Sequence, residues 1–76
     1  MLEKKKWLLV TFYTTAAAMQ MEKRCRDAGS PGKLVPVPRT ITSDCGIAWR
    51  ADLSERERVQ VLADGLETEG FYETEM

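Results

Sequence analysis

The sequence predicts an α+β domain, a ferredoxin-like split β-α-β-β-α-β sandwich in which two helices cover one face of an antiparallel sheet. Three observations carry that prediction. A length of 76 residues allows one small domain with one small core. Hydrophobic periodicity switches along the chain between strand-like runs and helical spacing. Cap and turn residues fall at the switches and mark off six short elements.

The first element is Trp7-Leu8-Leu9-Val10-Thr11-Phe12-Tyr13, rich in aromatic and branched residues. Both of its faces are apolar, so it is read as a central strand. Thr14 or Thr15 caps the helix that follows, Ala16 to Ala28, and Gly29 stops it. Ala18, Met21, Cys25 and Ala28 recur at helical spacing as its inner stripe. Ser30-Pro31-Gly32 is a turn. Lys33 to Val37 is the second strand, and Pro36 places it at an edge or ends it early. Pro38 to Asp44 is an irregular loop, and Gly46 to Arg50 is the third strand. Ser54 caps the second helix, with Glu57 completing a capping box, and Val59, Leu62, Ala63 and Leu66 face inward. Phe71-Tyr72 and their neighbours form a short fourth strand before an acidic tail. Residues 1–6 and 74–76 are expected to be flexible ends of the single domain. Right-handed crossovers run strands one and two in the same direction and return strand three between them. The first strand–helix junction and the loop before the third strand then share one edge of the sheet.

Charge is unevenly spread. Residues 1–50 carry nine Lys or Arg and four acids, whereas residues 51–76 carry two Arg and eight acids. This asymmetry argues against a nucleic-acid module, which needs a continuous basic surface. It suits an oppositely charged protein partner or self-association. No apolar stretch reaches the length of a membrane span. The run after Lys4-Lys5-Lys6 is too short for a signal peptide and reads better as a strand, so a cytoplasmic location is expected. Two cysteines far apart in sequence suit a reducing compartment.

The candidate for chemistry is Cys45, where a turn-rich loop hands over to a short apolar strand. Three features favour its thiolate: the helix N-terminus at Thr14 and Thr15 on the same rim, Arg39 six residues back, and Gly46, which leaves room for close backbone approach. Ser43 adds a hydroxyl to the loop. Asp44 opposes the thiolate unless it turns outward or pairs with Arg39. Such a thiol can hold a persulfide or selenosulfide or act as a redox sensor; the alternative is a structural cysteine that fills a strand end. Cys25, on the apolar helix stripe, reads as buried and inert. The chain has no histidine and no CxxC pair, so no metal site is expected. No Gly-rich phosphate loop is present, and no cofactor is expected. Asp52, Glu55 and Glu57 complement a helix dipole rather than form a catalytic pair.

An open sheet face would carry Phe12 or Tyr13 with Trp49. That pair suggests a protein interface at Tyr13 and Trp49, with RNA a weaker alternative because the strand-three motif of RNA-recognition domains is absent. A homodimer through the edge strand or sheet face is a further expectation.

The combination of Thr11-Phe12, Ala18, Glu22, Ala28-Gly29, Pro36-Val37-Pro38-Arg39, Ser43 and Cys45-Gly46 resembles a small-protein family of unknown function described as selenium/sulfur carrier-like. The resemblance covers roughly residues 7 to 70, and Pro-Val-Pro-Arg followed by Ser-x-Cys-Gly is its specific part. Members are small and often bacterial. The resemblance implies a carrier role in which Cys45 matches the family's cysteine and Arg39 its arginine, with sulfur or selenium donor and acceptor proteins as partners. The chain lacks the Cys-Pro-x-Pro motif of related sulfurtransferase-like carriers, so the resemblance does not extend to that type.

Overall fold

A computed structural model of the chain describes residues 5–41 and 45–75. Its elements are β1 (Lys6–Phe12), α1 (Thr15–Ala28), β2 (Lys33–Pro36), β3 (Ile47–Asp52), α2 (Arg56–Leu62) and β4 (Thr68–Glu75), with a 3-10 turn at Leu53–Glu55 before α2. The sheet order is β2-β3-β1-β4, and every neighbouring pair is antiparallel. The chain is therefore α+β, four antiparallel strands with two helices. β3 returns between β1 and β2.

β1 is central because it is apolar on both faces. Leu8, Leu9, Val10, Thr11 and Phe12 are all fully buried. Strand alternation divides them. Leu8, Val10 and Phe12 join Trp49 and Ala51 of β3 beneath the helices, where they meet Ala17, Ala18, Met21 and Cys25 of α1 and Val59 and Ala63 at α2. Burial of each large apolar side chain there contributes about 1.5–3 kcal/mol. Leu9 points to the other face, where it forms a smaller cluster with Val35 and Ala48, and Val37 and Ile41 of the β2–β3 loop pack onto it.

Thr14 is the N-cap of α1, its Oγ1 accepting from the Ala17 N–H at 3.1 Å. Thr15 is the first helical residue rather than a cap. Gly29 ends the helix with φ 71°, a left-handed conformation that glycine adopts without a Cβ penalty. Ala28 is exposed at this last turn, and Ala17 completes the buried stripe instead.

Three further expectations are corrected. β3 runs on to Asp52, and Asp52 caps the 3-10 turn by accepting from the Ser54 N–H at 3.0 Å. α2 then begins at Arg56 without a side-chain cap, so the Ser54–Glu57 capping box does not form. β4 is an eight-residue strand rather than a short one before a solvated tail. β1 supplies a partner along its whole length, and cross-strand contacts override the low strand preference of glutamate. Lys6 lies opposite Glu75 and Trp7 opposite Thr74, so the β1–β4 pairing runs through to residue 75. Arg56 Nη1 also reaches Glu73 Oε2 at 2.6 Å, which ties the start of α2 to β4.

The expected aromatic pair on an open face does not form. Trp49 lies opposite Val10, on the helix-covered side, and is only 3% exposed. Phe12 is buried on that side too, whereas Tyr13 stands beyond the strand end, half exposed. Trp49 is thus a core residue and not a docking or stacking platform. Gly32 closes over it: a Cβ there would come within 2.6 Å of both the indole ring and the Arg50 carbonyl oxygen. Among the described residues, no helix is long and apolar enough to cross a membrane.

Candidate functional site

The site is built at one end of the sheet. Thr11 pairs with Ala48 and Pro36 with Ile47. Cys45 and Gly46, just before Ile47, therefore lie past the end of β1, where the chain turns through Tyr13 and Thr14 into α1. The Val37 N–H donates to the Gly46 carbonyl at 3.0 Å and closes the mouth of the β2–β3 loop. Gly46 has φ 74°. A Cβ there would meet nothing within 4 Å, so glycine serves the turn and not a close backbone approach.

The turn aims Cys45 back at its own strand. The thiol is half-buried and packs against the main core. Its Sγ donates to the Ile47 carbonyl at 3.1 Å and accepts from the Ile47 N–H at 3.4 Å. The carbonyl holds the protonated thiol in place. The N–H approaches the same sulfur, so Ile47 supplies both an acceptor and a donor to the thiol.

The other expected residues have different relations to this sulfur. The Thr14 hydroxyl is occupied in capping, and Thr15 is exposed on the first turn. Among the described residues, the hydrogen bonds of Cys45 Sγ run to Ile47 alone, so the helix N-terminus shares its end of the sheet without bonding to it. Arg39 is exposed at the tip of a turn closed by the Ile41 N–H to the Pro38 carbonyl at 3.0 Å. No ion pair holds its guanidinium among the described residues. Ser43 and Asp44 lie outside the described residues. Tyr13 is 50% exposed on the same rim, its N–H donating to the Glu67 carbonyl at 3.2 Å. Trp49 is not part of this rim.

Cys25 is the counter-example. It is fully buried on α1, and burial pushes its thiol up, against a smaller opposing effect from a hydrogen bond with Ser30.

Two arrangements escape the sequence reading. On the face away from the helices, the Arg50 guanidinium lies 4.2 Å and Lys5 Nζ 4.5 Å from the Trp7 ring. Lys5 also pairs with Asp52, and this bond, with the Ser54 N–H second, holds the Asp52 carboxyl down at about 2. The signal available was alternation, since Trp7 and Leu9 share a face and Leu9 lies opposite Arg50. The second is Arg24, whose Nη1 donates to the carbonyls of Leu62 at 3.0 Å and Asp64 at 2.7 Å at the end of α2. No local motif announces that contact.

Fold and site together define a small α+β domain that presents a half-buried thiol at one end of its sheet. The chain belongs to the family described as Putative Se/S carrier protein-like, whose model matches residues 7–73. The match takes in Arg39, Cys45 and nearly all of the sheet. No curated protein and no solved structure matches the chain.

Proposed function

We propose that the protein is a sulfur or selenium carrier that holds a persulfide or selenosulfide on Cys45 and passes it to a protein partner. The observation that carries this reading is the setting of Cys45 within a matched carrier-like family: a half-buried thiol with the Ile47 N–H directed at its sulfur. The loading step balances without an added oxidant. The Cys45 thiolate attacks the terminal sulfur of a donor cysteine persulfide, the donor S–S bond breaks, and the donor leaves as a thiolate. A donor bearing terminal selenium reacts in the same way and leaves a selenosulfide on Cys45. Transfer onward repeats the step with an acceptor nucleophile. On loading, the S–H bond to the Ile47 carbonyl is lost, while the Ile47 N–H stays available to the inner sulfur. Arg39 lends positive charge from the same loop, and Ser43 and Asp44 complete the loop we assign to the site. The strand order, with β3 between β1 and β2, supports a ferredoxin-like arrangement. A reducing compartment such as the cytoplasm suits the two free thiols.

The test is intact mass spectrometry of the wild type and Cys45→Ser after exposure to a persulfide-loaded cysteine desulfurase. A reductant-labile gain of one sulfur on the wild type alone supports the carrier. No gain on either protein sinks it.

A second reading is a non-catalytic interaction domain, favoured by the exposed Tyr13 at the same end of the sheet as Cys45 and by Tyr72 on the uncovered face. A complex that survives Cys45→Ser but is lost in Tyr13→Ala would select it.

A further inference from the structure

The sheet sorts charge by face. On the helix side, Glu73 lies opposite Leu8 and Glu75 opposite Lys6, and Arg56 holds Glu73. The uncovered face carries the cations. There Lys33 lies directly opposite Arg50 across β2 and β3. Like charges set opposite one another destabilise a sheet, and an anion between them removes the cost. Among the residues whose side the regular pairing fixes, Asp52 is the one acid on this face, and Lys5 and the Ser54 N–H already hold it. Neither Lys33 nor Arg50 has an ion pair among the described residues.

Arg50 is set in place without being neutralised. Its guanidinium rests 4.2 Å from the Trp7 ring, and its Nε is buried with no hydrogen-bond partner among the described residues. Stacking on an indole fixes the plane of a guanidinium and leaves its charge to meet an anion. Tyr72 shares this face, since it pairs with Leu9. Its ring leans over Gly70, where a Cβ would come within 2.9 Å of it, and it is 37% exposed. The missing side chain lets the ring lie along the strand. Cations and an aromatic ring therefore share one surface.

We propose that this uncovered face binds a short single-stranded stretch of nucleic acid, with phosphates on Lys33 and Arg50 and a base on Tyr72. β1 and β3 are the inner strands, so their N–H and C=O groups are spent in the ladder. An acidic peptide laid across them would find no main-chain partners. A second copy placed face to face would set Lys33 and Arg50 against their own kind. A nucleic-acid strand needs only cations for its phosphates and a ring for its bases. A duplex keeps its bases stacked inside and offers none to Tyr72. The acidic end of the sequence does not stand in the way, because the pairing turns Glu73 and Glu75 to the other face. This surface does not rest on carrier chemistry at Cys45.

The test is fluorescence anisotropy of the full chain with a short dye-labelled oligoadenylate at low salt. A hairpin duplex, an oligoglutamate peptide and phosphatidylserine vesicles serve as competitors. The logarithm of the affinity should fall against that of the salt concentration with a slope of about −1.4, the value for two phosphate contacts on a single strand. Lys33→Gln should roughly halve that slope. Lys23→Gln, the same charge change at an exposed position on α1, should leave it unchanged. Tyr72→Leu should weaken binding about tenfold and keep the slope. Each variant is checked for an unchanged melting curve. Four results would overturn the proposal: no binding, equal effects of Lys23→Gln and Lys33→Gln, full affinity in Tyr72→Leu, or stronger binding of the duplex, the peptide or the vesicles than of the single strand.

Discussion

Cys25 and Cys45 pack against the same core, one from within α1 and the other from the loop that enters β3. Cys25 is sealed, and burial pushes its thiol up. Cys45 is half-buried, and both the N–H and the carbonyl of Ile47 are turned toward its sulfur. A helix interior spends its backbone groups on its own ladder, so Cys25 has only its packing and Ser30 beyond the helix to meet. A strand entrance has backbone groups to spare. The same side chain is therefore a small core hydrophobe in one place and a partly exposed, hydrogen-bonded thiol in the other.

The largest expected contrast is in modification rate. In the native protein, iodoacetamide should label Cys45 faster than Cys25 by on the order of 100-fold or more, because Cys25 reacts only when the core opens. Peptide mass spectrometry over time checks this, and comparable rates would collapse the distinction. Next comes hydroxyl substitution, read by urea unfolding. Cys25→Ser places a hydroxyl in the core and should cost about 1–3 kcal/mol. Cys45→Ser should cost under about 1 kcal/mol, since a hydroxyl can take over both contacts to Ile47. Gly46→Ala probes the turn behind Cys45. A left-handed alanine costs about 1 kcal/mol, and Cys45 labelling should change while Cys25 labelling does not.

The pH dependence has a definite sign. The Cys25 thiol is raised in the folded state, so its contribution is complete below the unfolded thiol value of about 8.5 and is lost as pH rises through the higher folded value. Cys25→Ala should flatten that alkaline decline in melting temperature. The smallest effect belongs to Arg39. Its exposed guanidinium should speed Cys45 labelling only about two- to threefold at low salt, an advantage that Arg39→Ala and high salt should each remove.

Much of this fold is legible in the residues. β1 reads as central because no face of Trp7 to Phe12 is polar throughout, and α1 reads from the threonine before it and the glycine after it. The side of the sheet taken by Trp49 is not legible. A shift of one residue in register sends every side chain of a strand to the other face, and Ala48 is small enough to fit on either. Its true side follows from the pairing of Val10 with Trp49, a contact between residues far apart in sequence. β4 is hidden for a similar reason: its glutamates speak against a strand, and only the partner β1 overrules them. For the cap before α2, Asp52 and Ser54 are both good candidates by type, and the length of β3 decides between them. At the site, the loop composition marks Cys45. The two contacts to Ile47 depend on the left-handed turn at Gly46, which spacing alone does not show.

The Arg24 bridge to the carbonyls of Leu62 and Asp64 bears on how the molecule breathes. A seven-residue helix does not hold itself together in water. α2 draws its order from Val59 and Ala63 in the core, from Arg56 on β4 and from a guanidinium on α1. These contacts tie the opening of α2 to that of α1. In hydrogen exchange the amides of α2 should share the fate of α1, and loosening Arg24 should make the shorter helix fray first.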